Sequence, residues 1–126
     1  MFPQTRMRRF RKNETIRKMV RESRVHVDQL IYPIFVVEGE DQINPIDSMP
    51  GIYQYSLDHL LEEVERAVAV GISSIILFGI PAEKDAVGSQ AYAEHGIVQE
   101  AIRKVRAAYP ELAIIADCCL CEYTSH

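Results

Sequence analysis

Apolar positions along the chain follow two rhythms. Residues 30–37, LIYPIFVV, run continuously apolar and are rich in β-branched and aromatic side chains, the pattern of a strand buried on both faces. Pro33 has no N–H to give a ladder, so pairing there must be one-sided or bulged. Residues 73–79, SSIILFG, and 112–119, LAIIADCC, read as two further buried strands. Between these runs the period lengthens to that of a helix. Leu57, Leu60, Leu61, Val64, Ala67 and Val68 share one face, with Ser56 as the cap, Asp58 in the first turn and Gly71 as the stop. Ile97, Ala101, Val105 and Ala108 mark a second helix, with Pro110 just past its end.

EGED and NPIDSMPG are turn-like clusters around a short segment, an irregular hairpin excursion between the first strand and the first helix. The order strand, helix, strand, helix, strand is that of consecutive βα units and implies a parallel sheet. Doubly wound sheets and barrels both begin this way. No G-x-G-x-x-G or G-x-x-x-x-G-K-[ST] follows any strand, which leaves a nucleotide-binding reading without support. The stretch 80–96 is too long for a mere connector, and loops at strand C-termini are where parallel-sheet proteins keep their chemistry. Three strands and two helices leave an open sheet edge and an uncovered face. A closed (β/α)8 barrel takes about 250 residues, so the pattern is that of its first three-eighths, and a fragment is expected.

Charge separates the N-terminus from the rest. Residues 1–24 hold nine basic side chains against Glu14 and Glu22, a net +7 in a chain of formal charge −4, so residues 25–126 carry −11. No aromatic interleaving or nucleic-acid motif accompanies the basic run. An arm that docks on an acidic surface of its own protein, a neighbouring subunit, is the favoured reading over nucleic acid or anionic lipid. Residues 1–12 look extended. Asn13 caps a short helix with Ile16, Met19 and Val20 on one face, ending near Ser23 and too short to stand alone in water. Residues 1–28 are thus expected to form an arm and 29–126 a partial barrel. The apolar share of 48% and charged share of 25% are those of a soluble globular domain. No apolar run approaches the roughly 18 residues of a membrane span, and a cytoplasmic location is expected.

The chain closes on DCCLCEYTSH, 117–126. Three clustered cysteines in a reducing compartment are better suited to metal or redox chemistry than to disulfides. Strand alternation puts Asp117, Cys119 and Cys121 on one face, and Cys118 with Ala116 and Leu120 on the other. Cys118 then reads as a small core residue. Cys119 and Cys121 form a C-x-C pair able to grip a zinc ion, whose third ligand could be His126, Asp117 or a residue outside the sequence. His26, His59 and His95 have no partner at ligand spacing and read as solvent-facing or capping residues.

DCCLCEYTSH resembles the zinc-site segment of porphobilinogen synthase (5-aminolevulinate dehydratase), where Asp-x-Cys-x-Cys leads into Tyr-Thr. LIYPIFVVEG, SMPGIYQYSLD, LFGIPAEKDAVGSQAY and GIVQEAIRKVRAAYPEL match that family's pattern in the same order, so the resemblance covers nearly everything from Arg8 to His126. It implies a TIM barrel with an N-terminal arm wrapping a neighbouring subunit, typically in an octamer. The implied activity condenses two molecules of 5-aminolevulinate into porphobilinogen with loss of two waters, in tetrapyrrole and haem synthesis. By the same resemblance Cys119 and Cys121 match two of three zinc cysteines, and Asp117 the active-site aspartate before them. The third cysteine and the two Schiff-base lysines have no counterpart here. Lys12, Lys18, Lys84 and Lys104 match no catalytic position. An inactive fragment is therefore expected, with Zn2+ held weakly and Mg2+ dependence lying in positions the chain does not contain. The rival reading is a naturally short, non-catalytic binding or regulatory protein.

Overall fold

The apolar run of the first strand becomes β1 (Tyr32–Val37) in the computed structural model, which describes residues 3–126. Five strands form one sheet in the order β2-β3-β1-β4-β5, with β2 (Ile43–Pro45), β3 (Tyr53–Tyr55), β4 (Ser74–Ile80) and β5 (Ala113–Ala116). The β3–β1, β1–β4 and β4–β5 pairs are parallel, and the β2–β3 pair is antiparallel. The hairpin excursion thus supplies two short strands that periodicity does not reveal, since three residues are too few to show alternation. Pro33 lies opposite Ile76 of β4, while pairing with β3 begins only at Phe35. The one-sided pairing expected at the proline is what occurs.

Helices α2 (Leu57–Ala69) and α3 (Ile97–Ala108) pack on one face of this sheet. Ile34 and Val36 of β1 and Ile75 and Leu77 of β4 meet Leu60 and Val64 of α2 and Ala101 and Val105 of α3. Each buried valine, leucine or isoleucine among them contributes about 1.5–3 kcal/mol of transfer free energy. The opposite face is only partly covered: Phe35 and Phe78 stack there at 5.2 Å between centroids. β1 is therefore buried on one face and not on both, because among the described residues no element lies against its second face. Strands added in one direction with helices on one side form a run of barrel-type βα units.

Two details of capping depart from the pattern. Ser56 occupies the cap position of α2, but its side chain caps nothing. Its hydroxyl accepts the Gln42 N–H at 2.9 Å and its own N–H donates to the Gln42 carbonyl at 3.0 Å, pinning the excursion to the helix start. Gly71 ends α2 as expected, at φ 91°, with its N–H on Val68 O at 2.9 Å and the Ile72 N–H on Ala67 O at 3.1 Å. That double bond pattern needs the left-handed conformation that glycine adopts without penalty. Ala108 is exposed, since the chain leaves the helix directly after it, whereas Val98 is buried in its place.

The arm contains more structure than extended chain. Arg9–Arg11 forms a 3-10 turn in which the Arg11 N–H reaches Arg8 O at 2.9 Å. Met1 and Phe2 lie outside the described residues. α1 (Glu14–Met19) starts at Asn13, whose Oδ1 accepts the Ile16 N–H at 2.9 Å, and stops before Ser23 because Val20 has left helical geometry. None of its residues is buried.

Candidate metal-binding site

The cysteine segment begins where the chain leaves β4, which itself continues to Ile80. β4 pairs with β5 as far as Leu77 and Ala116, and one further bond joins the Asp117 N–H to Leu77 O at 3.3 Å. Past that point the chain leaves the extended conformation and turns: the Tyr123 and Thr124 N–H groups both donate to Leu120 O, at 2.9 and 3.0 Å. Alternation of faces holds only while a ladder holds the strand. It does not extend to residues 118–121. Cys118 is exposed and so is Leu120, so Cys118 is not the core residue that strand parity implies.

The turn instead assembles a donor set. One ligand atom each from Asp117, Cys119 and Glu122 lie within 4.8 Å of one another. Cys121 adjoins the same group: its N–H donates to Cys119 Sγ at 3.4 Å, and the neighbouring Cys119 thiol, with the Glu122 charge behind it, pushes the Cys121 thiol pKa up. Repulsion among acidic donors is what a bound cation would relieve. Glu122 escaped the sequence reading because a strand would have turned it away from Cys119; the turn at 121–123 brings it round. His126, the other considered ligand, is exposed and lies outside this trio.

Next to the donors, Tyr123 is buried, and burial first, then the charges of Glu122 and Asp117, raise its phenol pKa. A cavity of about 290 Å³ opens between this segment and α3, bounded by Tyr92, Val98, Gln99, Asp117, Cys119 and Tyr123. Gln99 Nε2 donates to Ala91 O at 2.9 Å, leaving its buried Oε1 without a partner. Of the remaining histidines, His26 and His95 take the exposed and capping roles expected of them, whereas His59 departs from that reading: it is partly buried and has carboxylate partners at ligand spacing. His26 donates its N–H to Gln29 Oε1 at 2.9 Å in a capping box, and His95 contacts Glu100 at 2.7 Å. His59 meets Asp41 at 2.9 Å, and together with Asp58 these form a second group of possible ligands at the start of α2. Lys84 is exposed in the β4–α3 loop, and Lys104 donates to the Leu57 carbonyl.

Residues 4–126 match the family model for delta-aminolevulinic acid dehydratase. The chain belongs to that family. It is 60% identical over 121 residues to the delta-aminolevulinic acid dehydratase of Halalkalibacterium halodurans, covering 96% of this chain and 37% of that protein. Against the Bacillus subtilis dehydratase the identity is 51% over the same length and coverage. The crystal structure of the Toxoplasma gondii dehydratase (porphobilinogen synthase), solved with the reaction product porphobilinogen, superposes with a TM-score of 0.89 at 37% identity, over 97% of this chain and 35% of that one. The chain thus spans little more than a third of the length of these dehydratases. Its βα units are part of the dehydratase TIM barrel. Among the described residues no helix is long and apolar enough to cross a membrane.

Proposed function

We propose that this chain supplies the metal-binding side of a porphobilinogen synthase, the enzyme that joins two molecules of 5-aminolevulinate into porphobilinogen and releases two waters. The observation that carries the reading is the convergence of Asp117, Cys119 and Glu122 just past β5, with the Cys121 thiol beside them, in a chain of that family. Mixed sulfur and oxygen donors at this separation suit zinc, with Cys119 and Cys121 as thiolate ligands and a carboxylate completing the set. Zinc bound there would supply Lewis acidity towards a substrate oxygen. Asp117 presents its carboxylate at the C-terminal end of a parallel strand, placed to hold a substrate ammonium and exchange its proton.

The chain's own lysines are not the amine nucleophiles of this reaction. A Schiff-base lysine is kept neutral near pH 7 by desolvation or by an adjacent cationic group. Lys84 is exposed, Lys18 pairs with Glu14 at 2.9 Å on the arm, and Lys104 is engaged by a carbonyl. Those lysines belong to the part of the family's length that this chain does not span, as does any Mg2+ site. A cytoplasmic location and assembly through the arm, to an octamer in the full-length enzyme, complete the proposal. Exposed Phe10 and Met19 (64% and 75%) support the arm as a docking element.

The test uses 5-aminolevulinate with borohydride. The chain should form no porphobilinogen and trap no substrate, whereas a protein of family length beginning with this sequence should do both, and its Cys119→Ser and Cys121→Ser variants should lose product formation. A stoichiometric adduct on Lys12, Lys18, Lys84 or Lys104 overturns the assignment.

A further inference from the structure

The donors at 117–122 are held at both ends by residues that are not donors. At the near end the Asp117 N–H is tied to Leu77 of β4. At the far end the chain is bridged to a loop more than thirty positions earlier: the Asp85 N–H donates to Tyr123 O at 3.3 Å, and the Ser125 N–H donates to Asp85 O at 3.0 Å. These two bonds make Asp85 and Thr124 an isolated parallel bridge. The Asp85 side chain points back into its own loop. Its Oδ1 accepts the Val87 and Ser89 N–H groups, each at 3.0 Å, and its Oδ2 takes the Ser89 hydroxyl. Gly88, at φ 62°, provides the left-handed step that lets the loop fold round the carboxylate.

We propose that Asp85 is a positioning residue for the metal donors. Its carboxylate shapes the 85–89 turn, the turn presents the Asp85 backbone as a clasp, and the clasp closes the 118–122 segment at its far end. A segment fixed at both ends has far fewer arrangements of Cys119, Cys121 and Glu122 than a tail fixed at one. Asp85 touches none of these donors; it acts through the peptide groups of residues 123 and 125. The role rests on the metal reading above.

Cobalt(II) is the probe, read by the thiolate-to-metal charge-transfer band of the chain, alongside amide exchange at Ser125 and at Leu77. Asp85→Ala should weaken cobalt binding about tenfold, the scale for residues that orient ligands from outside the ligand shell. It should also speed Ser125 exchange by a comparable factor while leaving Leu77 in β4 protected. Asp85→Asn keeps the acceptor for Val87 and Ser89 and should restore most of both. Unchanged Ser125 exchange in Asp85→Ala overturns the clasp. Faster Ser125 exchange with unchanged cobalt affinity overturns its role in positioning. Loss of Leu77 protection as well reduces Asp85 to a general stability residue and also overturns it. A wild-type chain with no thiolate band at all overturns the metal reading itself, and with it the role assigned to Asp85.

Discussion

The Tyr123 hydroxyl occupies the space that a side chain on Gly79 would need: a Cβ on Gly79 would stand 2.6 Å from Tyr123 Oη and would also collide with Val98. The cysteine segment therefore rests on β4 through a contact only glycine permits. Gly79→Ala should destabilise the fold by about 1–3 kcal/mol, the usual cost of overpacking. It should also free Tyr123, and its raised phenol pKa should fall back towards the ordinary value as burial is relieved. Thermal unfolding together with an ultraviolet tyrosine titration checks both.

Glu63 of α2 is 5% exposed and accepts the Tyr32 hydroxyl at 2.6 Å and Arg66 Nη1 at 2.7 Å. Burial, and then the hydrogen bond and charge of Glu63, push Tyr32 up to about 12, and the same causes do so for Tyr55. A raised phenol pKa stabilises the fold fully below the unfolded value of about 10 and loses that share as pH rises towards 12. Glu63→Gln should lower both tyrosine midpoints part of the way, burial remaining. Glu63→Ala, which leaves Tyr32 without its acceptor, should cost about 1–3 kcal/mol by denaturant unfolding.

His59 lies against Asp41, Asp58 and Glu62. The Asp41 hydrogen bond, ahead of the neighbouring carboxylate charges, raises its pKa above 6.5, while bonds to Ser56 and the Asp58 and Asp41 backbone hold Asp58 low. The histidine contribution is complete below about 6.5 and fades as pH rises through the higher folded value. The Asp58 contribution runs the other way and is lost in acid. A proton NMR titration should find the His59 midpoint above 6.5 and falling in Asp41→Asn.

Among the thiols, Cys118 is exposed and outside the donor trio, so Cys118→Ser should leave zinc binding unchanged. Cys119→Ser should abolish it and Glu122→Gln should weaken it. Binding is expected to be weak throughout, because this chain offers the site only two cysteines, Cys119 and Cys121, where the resemblance implies three. Equilibrium dialysis of the four proteins reads this directly; zinc held against a chelator by Cys119→Ser would contradict it.

α1 and the 3-10 turn before it bury no residue in the chain, while Arg8, Phe10, Arg11, Arg17 and Val20 line an open groove. The arm should therefore dock on another copy. Light scattering at tens of micromolar is expected to show a dimer or larger species, and removal of residues 1–28 should shift it to monomer.

Much of this was legible in the chain because it depends on neighbours in sequence. The 3.6-residue rhythm of Leu57 to Val68 and the apolar runs of β1 and β4 are local facts, and so are the Asn13 cap and the Gly71 stop. Conformational preference and amphipathicity act over a few residues, and the order of βα units follows from them. The motif resemblance then placed those units in the dehydratase family. What only the tertiary structure decided depends on pairs far apart. β1 is buried on one face because of where α2 and α3 lie, not because of its composition. β5 leaves β4 after Ala116 although β4 itself runs on to Ile80, and that departure exposes Cys118 and brings Glu122 round to Asp117. Asp85 looks like any loop carboxylate until residues 123–125 are laid beside it. A strand's alternation is a property of its ladder, and where a ladder ends is decided by the meeting of two segments far apart in sequence, which the residues of one strand do not show.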